Sequence, residues 1–261
     1  MDLKLKGQYV LVTGSSRGIG KGIAAGFLQE GAQIVLTGRD QRTFNQTRAQ
    51  FVRKYPRQKI LLFPGDLQDP AVIGTLADWL SQQIGYLDHL VCNIGDGKTT
   101  SSSGEDMAEL DRMFAVNFFG AARLAQAMRP LLARGFLRKK NYSTLTLIGS
   151  ICGRQALGCP PAYAAAKAAL AHYGRNLARE FAKDGIRVNV VSPGNILFPG
   201  STWENKLAKN PQSVKDMLIR EVPLNQFGSP ADIGNVCAFL ASPAAKFVTG
   251  ADWVVDGGQT R

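Results

Sequence analysis

The sequence lacks the features that would place it in a membrane or build a metal site. No apolar run among its 261 residues reaches the roughly 20 residues that a membrane-spanning helix needs. The polar residues 1–7 are unlike a secretory signal, so we expect no membrane contact and a cytoplasmic location. Histidine occurs only twice, and no C-x-x-C pair is present, so no metal site is predicted. We expect reduced, mostly buried thiols at the four cysteines, which are Cys92, Cys152, Cys159 and Cys237.

Acidic residues are also scarce, with 20 against 31 lysines and arginines, which gives a net charge of +11. Such a surplus attracts anions in general. The densest basic stretch, residues 129–140, is interpreted as a solvated helix end and loop in preference to a docking patch for a partner. No nucleic-acid-binding motif accompanies the charge, so nucleic acid is not predicted as a partner.

Short apolar runs alternate with longer amphipathic stretches along the whole chain. Strands are predicted at residues 9–12, 33–37, 59–63, 87–92, 144–148, 187–191 and 253–255. Helices are predicted at residues 18–30, 41–54, 70–83, about 106–133, 161–182 and 230–241. The strands are rich in Val, Leu and Ile and seldom alternate with polar residues, which is typical of strands buried on both faces. The prediction is an α/β fold with a doubly wound, mostly parallel sheet of about seven strands and helices on both faces.

No linker, repeat or low-complexity tract divides the chain, so residues 1–261 are predicted to form a single domain. Residues 195–222 carry only weak helical signals around three prolines. We expect them to form an insertion that caps the substrate site.

A glycine-rich turn joins the first predicted strand to the first predicted helix. Gly14, Gly18 and Gly20 permit a tight turn in which backbone N–H groups and a helix N-terminus face a pyrophosphate. The spacing T-G-x-x-x-G-x-G resembles the compact short-chain dehydrogenase/reductase family, whose fold is Rossmann-like. The resemblance implies dinucleotide contacts by these glycines and by Ser16, Arg17 and Ile19.

The end of the second predicted strand indicates which dinucleotide is bound. Gly38 and Arg39 stand where NAD-specific proteins usually place an acid that accepts from the ribose 2′-hydroxyl. Arg17 in the glycine turn can converge on the same point, and two guanidiniums suit a 2′-phosphate. NADPH/NADP+ is therefore predicted, with NADH less favoured. Asp40, one residue beyond the usual acidic position, is the observation that leaves NADH open.

The family resemblance implies further cofactor contacts along the other strand ends. Its residues, in addition to Tyr163 and Lys167, are Asp66 and Leu67 at the adenine, Asn93 and Gly95 along the cofactor, and Pro193, Gly194 and Ile196 at the nicotinamide. Phe198 stands where many relatives carry a cofactor-contacting threonine, for which Ser201 or Thr202 could substitute.

Tyr163 and Lys167 lie four residues apart on a predicted helix and so share one face. A nearby ammonium, together with the positive nicotinamide of the oxidised cofactor, favours the phenolate, so we expect these two charges to lower the pKa of Tyr163 toward the range useful for proton transfer. Ser150 ends the fifth predicted strand, where its hydroxyl can polarise a substrate carbonyl. The resemblance adds Asn117 as the residue that sustains a proton path from the lysine to solvent.

Together these features predict an NADPH-dependent oxidoreductase that moves hydride between nicotinamide and a carbonyl or secondary alcohol. The interpretation closest to the resemblance is a 3-oxoacyl-thioester reductase, acting on a small-molecule substrate that is free or carrier-bound. A reductase of another polar ketone, such as a sugar nucleotide, and a non-catalytic NADP-binding protein remain open. Residues 96–104 and 195–222 are expected to line the substrate pocket. The C-terminal segments 228–233 and 248–258 resemble those of tetrameric relatives, which implies a homotetramer or a homodimer.

Overall fold

The computed structural model describes residues 2–98, 106–139 and 141–260. Seven strands form one sheet in the order β3-β2-β1-β4-β5-β6-β7, and every neighbouring pair is parallel. The strands are β1 (Tyr9–Val12), β2 (Gln33–Gly38), β3 (Ile60–Pro64), β4 (His89–Cys92), β5 (Ser143–Ile148), β6 (Ile186–Pro193) and β7 (Asp252–Val255). The reversal of strand order at β1 and β4 is that of a doubly wound sheet, which confirms the predicted fold class.

Helices connect the strands in the described part of the chain. They are α1 (Gly18–Gln29), α2 (Gln41–Lys54), α3 (Pro70–Gln83), α4 (Met107–Phe114), α5 (Gly120–Lys139), α6 (Pro161–Phe181), α7 (Thr202–Lys209), α8 (Pro211–Glu221) and α9 (Pro230–Ala241). Local chemistry fixes several starts. The side chains of Asp40 and Asp69 accept N–H bonds at the first turns of α2 and α3, and a proline at the first position suits a helix start.

Two segments differ from the sequence-based prediction. The long helix expected at 106–133 is interrupted by a π-helical segment, Ala115–Phe119, and then continues as α5 to Lys139. The weak signals at 195–222 correspond to two short helices, α7 and α8, which are capped by the side chains of Ser201 and Asn210. Short polar helices give little hydrophobic periodicity, so their caps were the better signal.

The sheet is covered on both faces by apolar side chains. One core packs α3, α5 and α6 against the sheet around Leu90, Leu145 and Val188. The other packs α1, α2 and α9 around Val10, Ile34 and Val191. Burial on both faces is why the strand sequences are continuously apolar.

The helices α1 and α9 approach each other closely at three glycines. A Cβ atom on Gly22 would lie 2.3 Å from the Cβ of Pro230, and one on Gly234 would lie 2.6 Å from the carbonyl oxygen of Gly22. A Cβ on Gly26 would lie 3.0 Å from the backbone of Gly234. The backbones of the two helices are therefore in direct contact along this glycine seam.

The expectation of four reduced thiols is wrong at two positions. Cys152 and Cys159 form a disulfide with a Cα–Cα distance of 6.2 Å, while Cys92 and Cys237 are free and buried as predicted. The close approach arises because the intervening residues fold back as a turn between β5 and α6. Two cysteines seven residues apart, without a C-x-x-C pattern, did not predict a disulfide from the sequence.

The basic stretch 129–140 is not a freely solvated face. Arg129 pairs with Glu180 and Asp184, and Lys139 pairs with Asp88 at 3.1 Å. The guanidinium of Arg138 lies 4.0 Å from the centre of the Tyr86 ring. These cations bind residues of their own chain, and Lys140 lies outside the described residues.

Within residues 2–98, 106–139 and 141–260, no helix is long and apolar enough to cross a membrane. The same ranges contain no group of three or more His, Cys, Asp or Glu residues arranged to hold a metal ion. His89 is buried between Thr144 and Gln8, and burial lowers its pKa to about 3, so it is a neutral packing residue.

Candidate active site

The carboxyl ends of β1, β2, β3 and β4 border one cleft of about 440 Å³. In a doubly wound sheet this edge, at the point where strand order reverses, is where ligands bind. Eight of the predicted cofactor-binding residues line the cleft: Gly14, Ser16, Arg17, Arg39, Asp66, Leu67, Asn93 and Gly95. Five further lining residues were not predicted, and their only signal was a position near a strand end or a helix start: Thr37, Thr43, Gly65, Gln68 and Ile94.

The glycine turn is built so that its backbone is exposed to the cleft. Gly14 and Gly18 have φ values of +61° and +56°, a region that disfavours any side chain. A Cβ on Gly20 would lie 2.4 Å from the carbonyl oxygen of Gly14, so this glycine allows the turn to close on itself. The Asn93 amide donates to the carbonyl of Thr13 at 3.0 Å and ties the end of β4 to the turn.

At the outer end of the cleft, Arg17 and Arg39 are both exposed. Arg39 pairs with Asp66 at 3.3 Å, and both side chains are largely in solvent, at 65% and 45% exposure. Asp40 is occupied as the N-cap of α2, where it accepts the N–H of Thr43 at 2.7 Å. The hydrogen bonds from Thr43 lower the pKa of Asp40. Asp40, the residue that kept NADH binding possible in the sequence-based prediction, therefore caps helix α2.

The predicted catalytic tyrosine, serine and lysine lie together beside the cleft. Ser150 follows β5 and hydrogen-bonds through its hydroxyl to Tyr163, which lies in the first turn of α6. The Nζ atom of Lys167 lies 5.9 Å from the centre of the Tyr163 ring and donates to the carbonyl of Ile148 at 2.8 Å. A Cβ on Gly153 would lie 2.8 Å from the backbone of α6, so this glycine lets the turn after Ser150 press against the helix.

Burial and two neighbouring side chains shift the pKa of Tyr163. Burial raises the pKa of Tyr163, the bond with Ser150 lowers it, and the nearby Asp96 carboxylate raises it again. Burial also lowers the pKa of Lys167 to about 8, which is still above neutrality, so the amine is mostly charged there. The lowering of the Tyr163 pKa by this ammonium together with an oxidised nicotinamide stays a prediction.

Asn117 lies in the π-helical segment and is fully buried. Its amide donates to the carbonyl of Asp96 at 2.9 Å, and its oxygen accepts the N–H of Asp96 at 3.0 Å. A Cβ on Gly95 would lie 2.9 Å from the Asn117 oxygen and 3.1 Å from the Lys167 Nζ. Asn117 and Lys167 thus meet across a glycine, with no room there for a larger residue.

The remaining predicted cofactor residues lie outside the cleft. Gly18 and Ile19 begin α1, and Gly20 is buried beneath the turn. Pro193 ends β6, Gly194 donates to the carbonyl of Val255, and Ile196 pairs with Gly228 in a short parallel bridge.

Phe198 covers the start of α1 rather than leaving it open. A Cβ on Gly18 would lie 2.7 Å from the Phe198 ring. Ser201 is buried as the cap of α7, where it accepts the N–H of Glu204, so it does not replace the threonine of the relatives.

A second cavity, of about 730 Å³, lies between α7 and α8. Trp203, Lys206 and Lys209 line it, and the Nζ of Lys206 lies 4.5 Å from the centre of the Trp203 ring. The cavity contains none of the four catalytic candidates. The predicted pocket residues 99–104 lie outside the described residues.

The chain is similar to many known oxidoreductases over its whole length. It is 31% identical over 258 residues to isoepoxydon dehydrogenase patN of Aspergillus clavatus, covering 97% of this chain and 95% of the relative. It is 32% identical over 259 residues to the 3-oxoacyl-acyl-carrier-protein reductase FabG of Escherichia coli, covering 98% of each chain.

The fold has close solved counterparts. The L-sorbose reductase of Gluconobacter frateurii, solved with NADPH and L-sorbose, superimposes with a TM-score of 0.91 at 29% identity, covering 100% of this chain and 99% of that one. A family model described as enoyl-(acyl carrier protein) reductase matches residues 14–260. With the parallel sheet, the glycine turn and the Ser150–Tyr163–Lys167 cluster, these matches show that the chain is an oxidoreductase enzyme of the short-chain dehydrogenase/reductase family.

Proposed function

We propose that this enzyme uses NADPH to reduce a polar carbonyl compound, or NADP+ to oxidise the corresponding alcohol. The observation that carries the proposal is the grouping of Ser150, Tyr163 and the buried Lys167 beside the cleft, with the Lys167 Nζ 5.9 Å from the centre of the Tyr163 ring. This is the arrangement that a carbonyl oxygen needs when it gains a proton.

The cleft fits a dinucleotide on its own chemistry. The glycine turn presents backbone N–H groups at the start of α1, which suits a pyrophosphate. The exposed guanidiniums of Arg17 and Arg39 suit a 2′-phosphate, so we infer NADPH in preference to NADH. When bound, the nicotinamide supplies the hydride.

The residues of the chain orient the substrate and transfer the proton. Tyr163 donates its proton to the substrate oxygen, and Ser150 donates a hydrogen bond that stabilises the charge developing there. Lys167 stabilises the resulting phenolate and, with Tyr163, holds the nicotinamide ribose. Asn117 positions Lys167 across Gly95 and keeps its route to solvent.

We assign the other cofactor contacts on the same basis. Asp66 and Leu67 would contact the adenine, and Asn93 and Gly95 would lie along the cofactor. Pro193, Gly194 and Ile196 would bind the nicotinamide end, since β6 ends there. Residues 195–222 would cap the substrate within a single domain, and the assembly would be a homotetramer or a homodimer.

For the substrate, we propose a 3-oxoacyl thioester first and another polar ketone second. The relatives named above differ in what their names say they act on, so similarity alone does not choose among carbonyl compounds.

The test is a set of NADPH oxidation assays with a 3-oxoacyl thioester, a ketose and a sugar nucleotide with a keto group. We expect turnover of at least one, faster with NADPH than with NADH. The Tyr163→Phe variant, purified in parallel, controls for contaminating reductases. Binding of NADPH by calorimetry without turnover of any of these carbonyl compounds would contradict the proposal and favour a non-catalytic NADP-binding protein.

A further inference from the structure

The residues that follow β4 form a short segment, residues 95–98, pressed against the catalytic groups. Gly95 lies between Asn117 and Lys167, and a Cβ on Gly97 would lie 3.6 Å from the Tyr163 ring. The backbone of Asp96 is bonded at both its N–H and its carbonyl by the Asn117 amide group. A shift of this segment would therefore disturb three of the four catalytic candidates at once.

One side chain from outside the site holds the far end of this segment. Arg112 on α4 donates to the carbonyl of Lys98 at 2.6 Å and to the Asp96 carboxylate at 3.4 Å. No other described side chain donates a hydrogen bond to either group. The guanidinium thus crosses from α4 to both ends of the 96–98 stretch.

The guanidinium is itself fixed in place. Arg112 donates from two nitrogens to the two carboxylate oxygens of Glu109, each at 2.9 Å. The Glu109 side chain is only 3% exposed, and a paired, two-point contact of this kind has a defined geometry. Lysine could not reproduce it, because an ammonium lacks the planar fork.

Arg112 also contacts Asp96, the carboxylate that raises the pKa of Tyr163. The charged groups around Tyr163 are Lys167 on α6 and Asp96 on the segment, with Lys98 beside it and Arg112 and Glu109 behind it on α4. Since Asp96 opposes ionisation of Tyr163, a cation held on Asp96 offsets that effect.

We propose that Arg112 is a positioning residue for the reaction, which holds the 95–98 segment against Tyr163 and Asn117 from its anchor on Glu109. It touches none of the reacting groups and acts through Asp96 and Lys98. The proposal deepens the proposed reductase function and rests on it for its kinetic consequences.

The kinetic test compares Arg112→Gln with Arg112→Lys, with Arg179→Gln, an exposed position on α6, as the control. We expect Arg112→Gln to lower kcat about tenfold or more while the Kd for NADPH stays near that of the wild type. The pH midpoint of kcat for alcohol oxidation should move upward, and adding Asp96→Asn should move it back. Arg112→Lys should keep the midpoint and lose part of kcat.

A second measurement needs no substrate. Ultraviolet difference titration of each variant against the same variant carrying Tyr163→Phe reports ionisation of Tyr163 alone, with circular dichroism to confirm folding. We expect a higher midpoint in Arg112→Gln than in wild type. If loss of the ion pair between Arg112 and Glu109 prevents folding, the Glu109→Gln/Arg112→Gln double variant replaces the single one.

A midpoint that is the same in Arg112→Gln and wild type, with only a lower melting temperature, would overturn the proposal and leave Arg112 a structural residue of α4. An unchanged kcat would overturn it as well. If wild type turns over no carbonyl compound, the proposed function fails, and the titration alone decides whether Arg112 acts on Tyr163.

Discussion

The two ends of the active site are built in different ways. At the catalytic end, Ser150, Tyr163 and Lys167 are bonded to one another or to the backbone, and Asn117 and Lys167 are buried. At the adenosine end, Arg17 and Arg39 are exposed, and Arg39 holds only a solvent-exposed pair with Asp66. An exposed ion pair of this kind contributes about 0–1 kcal/mol to the free energy of folding.

This difference separates two tasks. Packing fixes the catalytic groups before any ligand arrives, which is what catalysis by positioning and electrostatics requires. The adenosine end is free to rearrange its arginines around whichever anion enters. Substitutions at the catalytic end should therefore change rate or stability, whereas those at the adenosine end should change affinity and cofactor choice.

The largest expected effect is that of Tyr163→Phe. Loss of the proton donor should reduce kcat by about 10²- to 10⁴-fold, while NADPH affinity stays near that of wild type. Tyr173→Phe on the same helix is the matched control and should keep normal rate. Steady-state kinetics and calorimetry check both, and equal losses of rate and affinity would show that the two ends are not separable.

The next effect is on stability at the catalytic end. Cys152→Ser opens the disulfide that joins the turn after Ser150 to the residues before Tyr163, and should lower the free energy of unfolding by about 2–3 kcal/mol. Cys159→Ser should cost the same, and the double variant no more than either. Denaturant unfolding measures this; finding four titratable thiols in the unreduced, denatured protein would disprove the bridge.

A smaller effect is expected from Gly95→Ala. The new methyl group would lie 2.9 Å from the Asn117 oxygen and 3.1 Å from the Lys167 Nζ, so these groups must move apart. We expect kcat to fall about ten- to a hundredfold. Gly74→Ala on α3 is the control, because a Cβ there meets no atom within 4 Å and alanine favours a helix. A Gly95→Ala enzyme with normal kcat would show that the contact tolerates displacement.

The smallest effect belongs to the adenosine end. Arg17→Ala and Arg39→Ala should each weaken NADPH binding by about tenfold and leave NADH binding unchanged, because a hydrogen bond to a charged group contributes about 1.5–3 kcal/mol before screening. Arg53→Ala, at the far end of α2, is the control. Calorimetry at two salt concentrations tests this, and equal weakening toward both dinucleotides would argue against a 2′-phosphate site.

The sequence predicted the sheet and the glycine turn well, because both follow from local patterns. The apolar runs at 9–12 and 33–37 match β1 and β2 to within one residue, and Tyr163 and Lys167 meet as their spacing requires. What it could not predict depends on contacts between distant residues. The Cys152–Cys159 bridge needs the fold of the intervening turn, and the π-helical turn at Asn117 needs the tertiary bonds to Asp96.

The surroundings of Tyr163 could not be predicted for the same reason. Helical spacing reveals Lys167 but not that burial would lower the lysine's own pKa, nor that Asp96 would approach from another strand end. Arg112 and Glu109 were missed because a single charged helix turn is usually a solvated face.

The contact of α1 with α9 links events that lie far apart along the chain. No side chain separates Gly22 from Gly234. At this contact, therefore, a movement of one helix cannot be accommodated by a change of side-chain rotamer on the other. The turn at the start of α1, which is proposed to bind a pyrophosphate, is thereby held in position by α9. A methyl group at Gly234 would lie 2.6 Å from the carbonyl oxygen of Gly22, so α1 would have to move although it lies about 200 residues earlier in the sequence.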